Sequence, residues 1–301
     1  MILGSGPAGL GAAVYARRAM LSCLVLEKQP MSGGQIAGTG EVDNYLGFLG
    51  LGGFALAQKF REHAEGLEVP FCRAEVTAVE PTADGFVIRG RNGETWETRT
   101  VIVATGAKHR LLGVPGEKEL TGAGVSYCAT CDGAFFRGKE VAVVGGGDAA
   151  LSEALYLARL ARRVHLIHRR DELRGAKHLQ EQVFANEHIT FIPNTIVTEI
   201  LGDGKVSGVR LADNASGESR TLSVDGVFVA VGTEPESAFL GDLVQKDAAG
   251  YLTADEDGAT SVPGLFAAGD VRTKRLRQVI TAVSDGANAV ASVEAYLAQK
   301  K

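Results

Sequence analysis

The sequence predicts an α/β protein built from two Rossmann-like, doubly wound three-layer nucleotide-binding folds, the second inserted in the first. Three observations carry this. A glycine-rich segment recurs at an offset of 141 residues, each copy lies between an apolar run and an Ala-rich helical run, and a buried-type strand ending in glycine also occurs twice.

Taken in order, the first copy is Ile2-Leu3-Gly4-Ser5-Gly6-Pro7-Ala8-Gly9, which aligns with Val143-Val144-Gly145-Gly146-Gly147-Asp148-Ala149-Ala150. Helical segments follow, Leu10 to Met20 and Leu151 to Leu160, and then β-like runs, Cys23 to Leu26 and Val164 to Ile167. Strand, glycine turn, helix and strand form the unit that seats a pyrophosphate on a helix N-terminus. Gly4 and Gly145 permit the tight turn, Gly6 and Gly147 let backbone approach phosphate, and Gly9 and Ala150 allow helix to pack closely on strand. The second copy has Lys139 to Ala142 ahead of its equivalent of Ile2, whereas only Met1 precedes Ile2, so either the first strand is short or residues are missing before it, and the latter is the expectation.

The tips of the second strands differ chemically. Glu27 stands 18 residues after Gly9, where a carboxylate accepts from adenosine ribose hydroxyls. The matching position of the second copy is His168, followed by Arg169, Arg170 and, one turn on, Arg174. Guanidinium groups pair with a 2′-phosphate that a carboxylate would repel. Copy one therefore reads as an unphosphorylated adenosine site and copy two as an NADP(H) site.

Val101 to Gly106 resembles Val227 to Gly232, and each precedes a Pro-containing connector, Leu111 to Glu119 and Thr233 to Gly241. The expected domains are 1–110 with 238–301, and 111–237, joined by two short crossings in the manner of a hinge.

Hydrophobic residues make up 45% of the 301 and charged ones 22%, the balance of a globular chain. A net charge of -5 offers no electrostatic footprint for nucleic acid or an anionic membrane. No apolar stretch approaches the ~20 residues that span a bilayer, and no leader pattern opens the chain. Of four cysteines, only Cys128 and Cys131 have CxxC spacing. A structural zinc needs four ligands, and neither Cys23, Cys72 nor the six histidines supply the others, so no metal is expected. A redox dithiol in a reducing cytoplasm is the expected use.

Cys128-Ala129-Thr130-Cys131-Asp132-Gly133, the Gly145 to Asp148 turn, His168-Arg169-Arg170-Asp171 with Arg174, and Ala267-Ala268-Gly269-Asp270 together resemble the bacterial-type, low-molecular-weight thioredoxin reductases over essentially the whole chain. The resemblance implies FAD at the first fingerprint, with Gly4, Gly6 and Gly9 at its pyrophosphate and Glu27 at its ribose. Gly33, Gly34 and Gln35 would contact the flavin, Asn44 would lie near its ring, and Ala104 and Gly106 would end a strand beside it. Gly269 and Asp270 would bond the ribityl chain, and Arg277, Gln278 and Val279 would close the site. It implies NADPH at the second fingerprint through Gly145, Gly147, Asp148, His168, Arg169, Arg170 and Arg174.

The implied reaction passes electrons from NADPH through FAD to a Cys128–Cys131 disulfide and on to thioredoxin, with domain rotation between half-reactions. Cys131 would face the flavin, Cys128 would attack the substrate, and Asp132 would be the general acid. A homodimer is also implied. Ser152-Glu153 departs from the family's two consecutive acidic residues, and Arg272 to Arg277 is more basic than expected, read here as a solvated loop. The alternative is a reductase fed by ferredoxin or another donor, or one serving a different small redox protein; a non-catalytic redox sensor is a third reading.

Overall fold

The computed structural model describes residues 1–39 and 41–300. The chain divides into two compact units, Met1–Lys108 with Glu234–Lys301, and His109–Thr233. Among the described residues the six α-helices, in chain order, are α1 (Pro7–Arg18), α2 (Gly53–Gly66), α3 (Ala129–Asp132), α4 (Asp148–Leu157), α5 (Lys177–Ala185) and α6 (Val279–Gln299). None of the described helices is long and apolar enough to cross a membrane.

Each unit is built on a five-stranded parallel sheet, and the two sheets share one plan. In the first unit the order is Leu265–Ala267, Val101–Val103, Ile2–Leu3, Val25–Glu27, Phe71–Arg73. In the second it is Val125–Ser126, Gly226–Val229, Glu140–Val144, Arg163–Ile167, Ile189–Ile192. The repeat extends to register: Ile2 lies opposite Val25 as Val143 lies opposite Leu166, and Leu3 opposite Leu26 as Val144 opposite Ile167. All four strand pairings within each five-stranded sheet are parallel.

Buried parallel strands send alternate side chains to opposite faces, so both faces must be covered. Ile2, Val25, Ile102 and Phe266 pack with the small residues of α1 and α6, while Leu3, Leu26, Val101 and Val103 pack with Val79, Phe86 and Ile88. These last belong to an antiparallel sheet, Val76–Pro81, Phe86–Gly90 and Thr95–Thr98. The second unit repeats the arrangement. Val141, Val143, Val164 and Leu166 face the helical layer; Ala142, Val144, Ile167 and Val229 face the sheet of Thr195–Gly202, Val206–Asp213 and Ser219–Leu222. The strand–helix repeat announced three layers but not that the third is an antiparallel sheet in both copies.

Gly4 and Gly145 carry more than a tight turn. Their φ angles are +101° and +154°, and a Cβ on Gly4 would stand 2.5 Å from the Ala104 carbonyl oxygen. A Cβ on Gly145 would meet the corresponding carbonyl of Ala230. Backbone cannot recede there without breaking the sheet, so Gly4→Ala is expected to cost about 2 kcal/mol or more, read as a lowered urea midpoint. An unchanged midpoint would contradict this packing.

The crossings between the units fall in Ala107–His109 and Thr233–Pro235, short strands that pair with each other.

Candidate functional site

In the first unit several of the sequence-derived residues gather at the N-terminus of α1. Gly6 is its N-cap and no side chain caps it, which leaves its first amides directed outward. A Cβ on Gly6 would meet only the Gly34 Cα at 3.9 Å, so the approach is open. Gly33 donates its N–H to the Ser5 carbonyl at 2.8 Å, laying the Gly33–Gly34–Gln35 loop across the turn, with Gln35 exposed. Glu27 is oriented by three donors: Ser5 N–H and Ser5 Oγ, each 2.8 Å from Oε2, and Gln29 N–H, 2.8 Å from Oε1. Of a carboxylate's roughly four acceptor directions, one is left for a ribose hydroxyl.

From the far end of the chain, Gly269 packs so closely on Ala8 that a Cβ would lie 2.7 Å from the Ala8 Cβ. Asp270 follows, with Oδ1 buried and unpartnered. Burial raises its carboxyl above the ordinary range, opposed by Lys274 and Arg277. A buried acceptor without a donor is the observation that most directly fits a polyol such as the ribityl chain. Asn44 Nδ2 donates to Gln278 Oε1 at 2.9 Å, and the Arg277 guanidinium lies 4.2 Å over the Tyr251 ring. Gln278 is the N-cap of α6 in a capping box with Thr281, and Val279 packs beside Ile36. The Gly106 backbone, at φ +73°, borders open space, and its carbonyl accepts from Glu236 N–H at 2.9 Å.

Sequence reasoning missed how the Gly269–Asp270 turn is held. Asp285 on α6 accepts from Gly269 N–H at 3.0 Å and pairs with Lys274 at 2.8 Å and Arg272 at 3.2 Å. The basic stretch read as a solvated loop thus begins with two largely buried, ion-paired cations; Arg275 is exposed.

In the second unit, Gly147 is the uncapped N-cap of α4, and nothing lies within 4 Å of where its Cβ would be. Arg169, Arg170 and Arg174 are exposed, and all three depress His168 electrostatically after its burial, so they cluster around it. His168 itself turns inward. Its ring lies 2.5 Å from where a Cβ on Gly146 would be, which is why that middle position is glycine. Asp148 is engaged structurally: Oδ1 accepts from Ala176 N–H at 2.7 Å, at the head of α5. The second unit therefore carries three exposed arginines and the uncapped N-terminus of α4, with His168 buried among the arginines and Asp148 bracing the neighbouring loop.

Cys128 and Cys131 are joined in a disulfide. Cys128 is the N-cap of α3, and its carbonyl accepts from Cys131 N–H at 3.2 Å and Asp132 N–H at 3.1 Å. Both cysteines are partly exposed, whereas Ser126 beneath them is buried. The Ser126 hydroxyl lies 2.5 Å from Asp132 Oδ2 and accepts from Cys128 N–H at 3.1 Å. Burial raises the Asp132 carboxyl, and the Ser126 hydrogen bond opposes this. A carboxyl whose hold on its proton is strengthened by burial, next in sequence to a CxxC, is placed to act as an acid. The Ser126 hydroxyl is a residue the sequence reading passed over, though its place two residues before Cys128 suits a Ser hydrogen-bonded turn.

Glu153 on α4 braces α3 from behind by accepting the Ala129 N–H, and its Oε2 is buried without a partner. Burial pushes its carboxyl up from 4.5 to about 7. The folded state thus holds a proton that the unfolded state has released, so stability falls as pH rises from about 4.5 to 7. Glu153→Gln is expected to remove that slope, matching the parent at acid pH and exceeding it by up to about 3 kcal/mol above neutrality. Parallel urea-unfolding profiles across pH would contradict this.

A family model described as pyridine nucleotide-disulphide oxidoreductase matches residues 1–286. The thioredoxin reductase of Listeria monocytogenes is 44% identical over 304 residues, covering 100% of this chain and 94% of the relative. That of Bacillus subtilis is 45% identical over 298 residues, covering 99% and 94%. Among solved structures, the Streptococcus pyogenes thioredoxin reductase matches with a TM-score of 0.94 at 45% identity, over 99% of this chain and 97% of that one. The Lactococcus lactis thioredoxin reductase in its FR conformation matches at 0.67 and 42% identity, over 99% and 98%.

Proposed function

Since the chain belongs to the pyridine nucleotide-disulphide oxidoreductase family, we propose that it is an NADPH-dependent flavoprotein that reduces thioredoxin through the Cys128–Cys131 disulfide. The observation that carries this is a disulfide held in the same unit as an exposed arginine cluster and an uncapped glycine turn. The names of the relatives point to thioredoxin as the substrate.

FAD would be held in the first unit by the turn at Gly4, Gly6 and Gly9 that leads into α1, by Glu27, Gly33, Gly34, Gln35 and Asn44, and by Ala104, Gly106, Gly269, Asp270, Arg277, Gln278 and Val279. When bound, it supplies the two-electron link between a reduced nicotinamide and a disulfide. NADPH would be held in the second unit by Gly145 and Gly147, with Arg169, Arg170 and Arg174 on the 2′-phosphate and His168 and Asp148 shaping the loop. A ferredoxin-fed enzyme has no use for that cluster, which is why the pyridine-nucleotide reading is preferred.

The chain's own thiols and acid perform the exchange. The Cys128 thiolate attacks one sulfur of the substrate disulfide, a mixed disulfide forms, and the departing sulfur takes the Asp132 proton. The Cys131 thiol, giving up its proton, then attacks the Cys128 sulfur of the mixed disulfide; the Cys128–Cys131 bond is restored, and the second substrate sulfur leaves and takes up that proton, so the substrate departs as a dithiol. Since CxxC and the second nucleotide turn share a unit, both must reach one flavin in turn; rotation about the two crossings is part of the proposal. A cytoplasmic setting and a homodimer complete it, the former in keeping with the free thiols Cys23 and Cys72.

The test is visible absorbance of the purified protein. Rapid bleaching by NADPH but not by NADH, with recovery on adding oxidised thioredoxin, is the expected result. Absence of bleaching by either nucleotide would refute the reading.

A further inference from the structure

We propose that Ser126 is a positioning residue for thiol exchange, a hydroxyl that turns between two hydrogen-bonded states as Asp132 loses and regains its proton. The inference rests on the reading of Asp132 as the general acid and adds to it the group that makes the acid reversible.

The geometry offers the Ser126 hydroxyl two places to donate and one fixed group to accept. Ser126 is 4% exposed, so water does not supply its partners. Its oxygen accepts the Cys128 N–H at 3.1 Å, anchoring it to the first residue of the CxxC. It stands 2.5 Å from Asp132 Oδ2 and 3.3 Å from the Cys128 carbonyl oxygen. A hydroxyl has one hydrogen and two lone pairs, so it cannot donate to both at once. When Asp132 is ionised, Ser126 donates to Oδ2. When Asp132 carries its proton on Oδ2, the carboxyl donates to Ser126 and the serine hydrogen swings to the Cys128 carbonyl. Neither protonation state leaves a buried donor or acceptor unpaired, which would otherwise be a direct cost.

The exchange step balances on this arrangement. The attacking thiolate forms a new S–S bond, the substrate S–S bond breaks, and its electron pair stays on the departing sulfur. That sulfur takes the Asp132 proton, and the resulting carboxylate receives the Ser126 O–H. No further oxidant or reductant is involved.

The surrounding groups are few. On α4, which packs against α3, Glu153 takes the Ala129 N–H and Tyr156 lies over Gly133. Tyr127 directs its hydroxyl to Glu117 at 3.1 Å, and the 3-10 turn Gly133–Phe136 carries no titratable side chain. The two causes that shift Asp132 are burial, which raises it, and the Ser126 donation, which lowers it. Removing the hydroxyl raises Asp132 further, so the alkaline limb of exchange moves to higher pH.

The experiment is single-turnover reoxidation of the pre-reduced holoenzyme by oxidised thioredoxin, followed from acid to alkaline pH. Ser126→Ala is expected to slow exchange ~10-fold and move the alkaline limb upward, Ser126→Thr to restore both, and Ser126→Ala to have no added effect beside Asp132→Asn. Unchanged visible absorbance of the variants controls for folding. If Asp132→Asn is slow while Ser126→Ala leaves the limb in place, or if the two losses add, the role of Ser126 is overturned alone. If Asp132→Asn exchanges at the parent rate, the general-acid reading falls and takes this one with it.

Discussion

Cys131→Ser is expected to lose thioredoxin turnover by ~10³-fold or more while keeping its visible spectrum and its bleaching by NADPH. The disulfide joins the N-cap of α3 to its third residue, so neither thiol has a substitute among neighbouring groups: Cys23 and Cys72 belong to the first unit. The two single variants are expected to fail differently. With Cys131 absent, the Cys128 thiolate still attacks but nothing resolves the product, so a covalent adduct with thioredoxin accumulates. With Cys128 absent, no adduct forms by this route. Mass spectrometry of the trapped species reads the difference, and an adduct on Cys131 in Cys128→Ser would invert the roles assigned here.

The second large effect concerns nucleotide choice. Arg169 and Arg170 are exposed at the tip of Arg163–Ile167, and Arg174 is fixed nearby because its N–H donates to the Gly146 carbonyl at 2.7 Å. Charge-assisted hydrogen bonds to phosphate contribute about 1.5–3 kcal/mol each, so removing two lowers kcat/KM for NADPH by ~10²–10⁴-fold. NADH lacks the 2′-phosphate and should be little affected. The ratio of kcat/KM values in Arg169→Ala/Arg170→Ala measures this directly. A ratio equal to the parent's would mean that the arginines are a solvated turn. The parent's preference for NADPH should also weaken as salt rises, because these guanidinium groups are open to solvent.

What the sequence made legible is what repeats locally. The 141-residue offset marked the repeated strand, glycine turn, helix and strand, because these are written in contiguous residues; that the strands also pair in matching register is seen only in the structure. The strand-tip contrast of Glu27 with Arg169 and Arg170 was legible for the same reason. Contacts made through space were not. Asp285 lies sixteen residues from Gly269 and is recognised only when α6 brings it back to that amide. His168 looked like a ligand-facing partner of the arginines, yet its ring fills the space over Gly146, a consequence of packing that no spacing reveals. Asp148 opens α4 just after the glycine turn, and its carboxylate is committed to the Ala176 amide. The antiparallel third layer escaped the reading because its strands carry no fingerprint of their own.

The central claim is that electrons taken from a nicotinamide end on one specific pair of sulfurs. Anaerobic addition of one equivalent of NADPH to the purified protein, followed by alkylation and peptide mapping, tests it most directly. The account predicts two newly alkylated thiols, at Cys128 and Cys131, with Cys23 and Cys72 modified equally before and after. Alkylation at Cys128 and Cys131 that does not change on adding NADPH would contradict it.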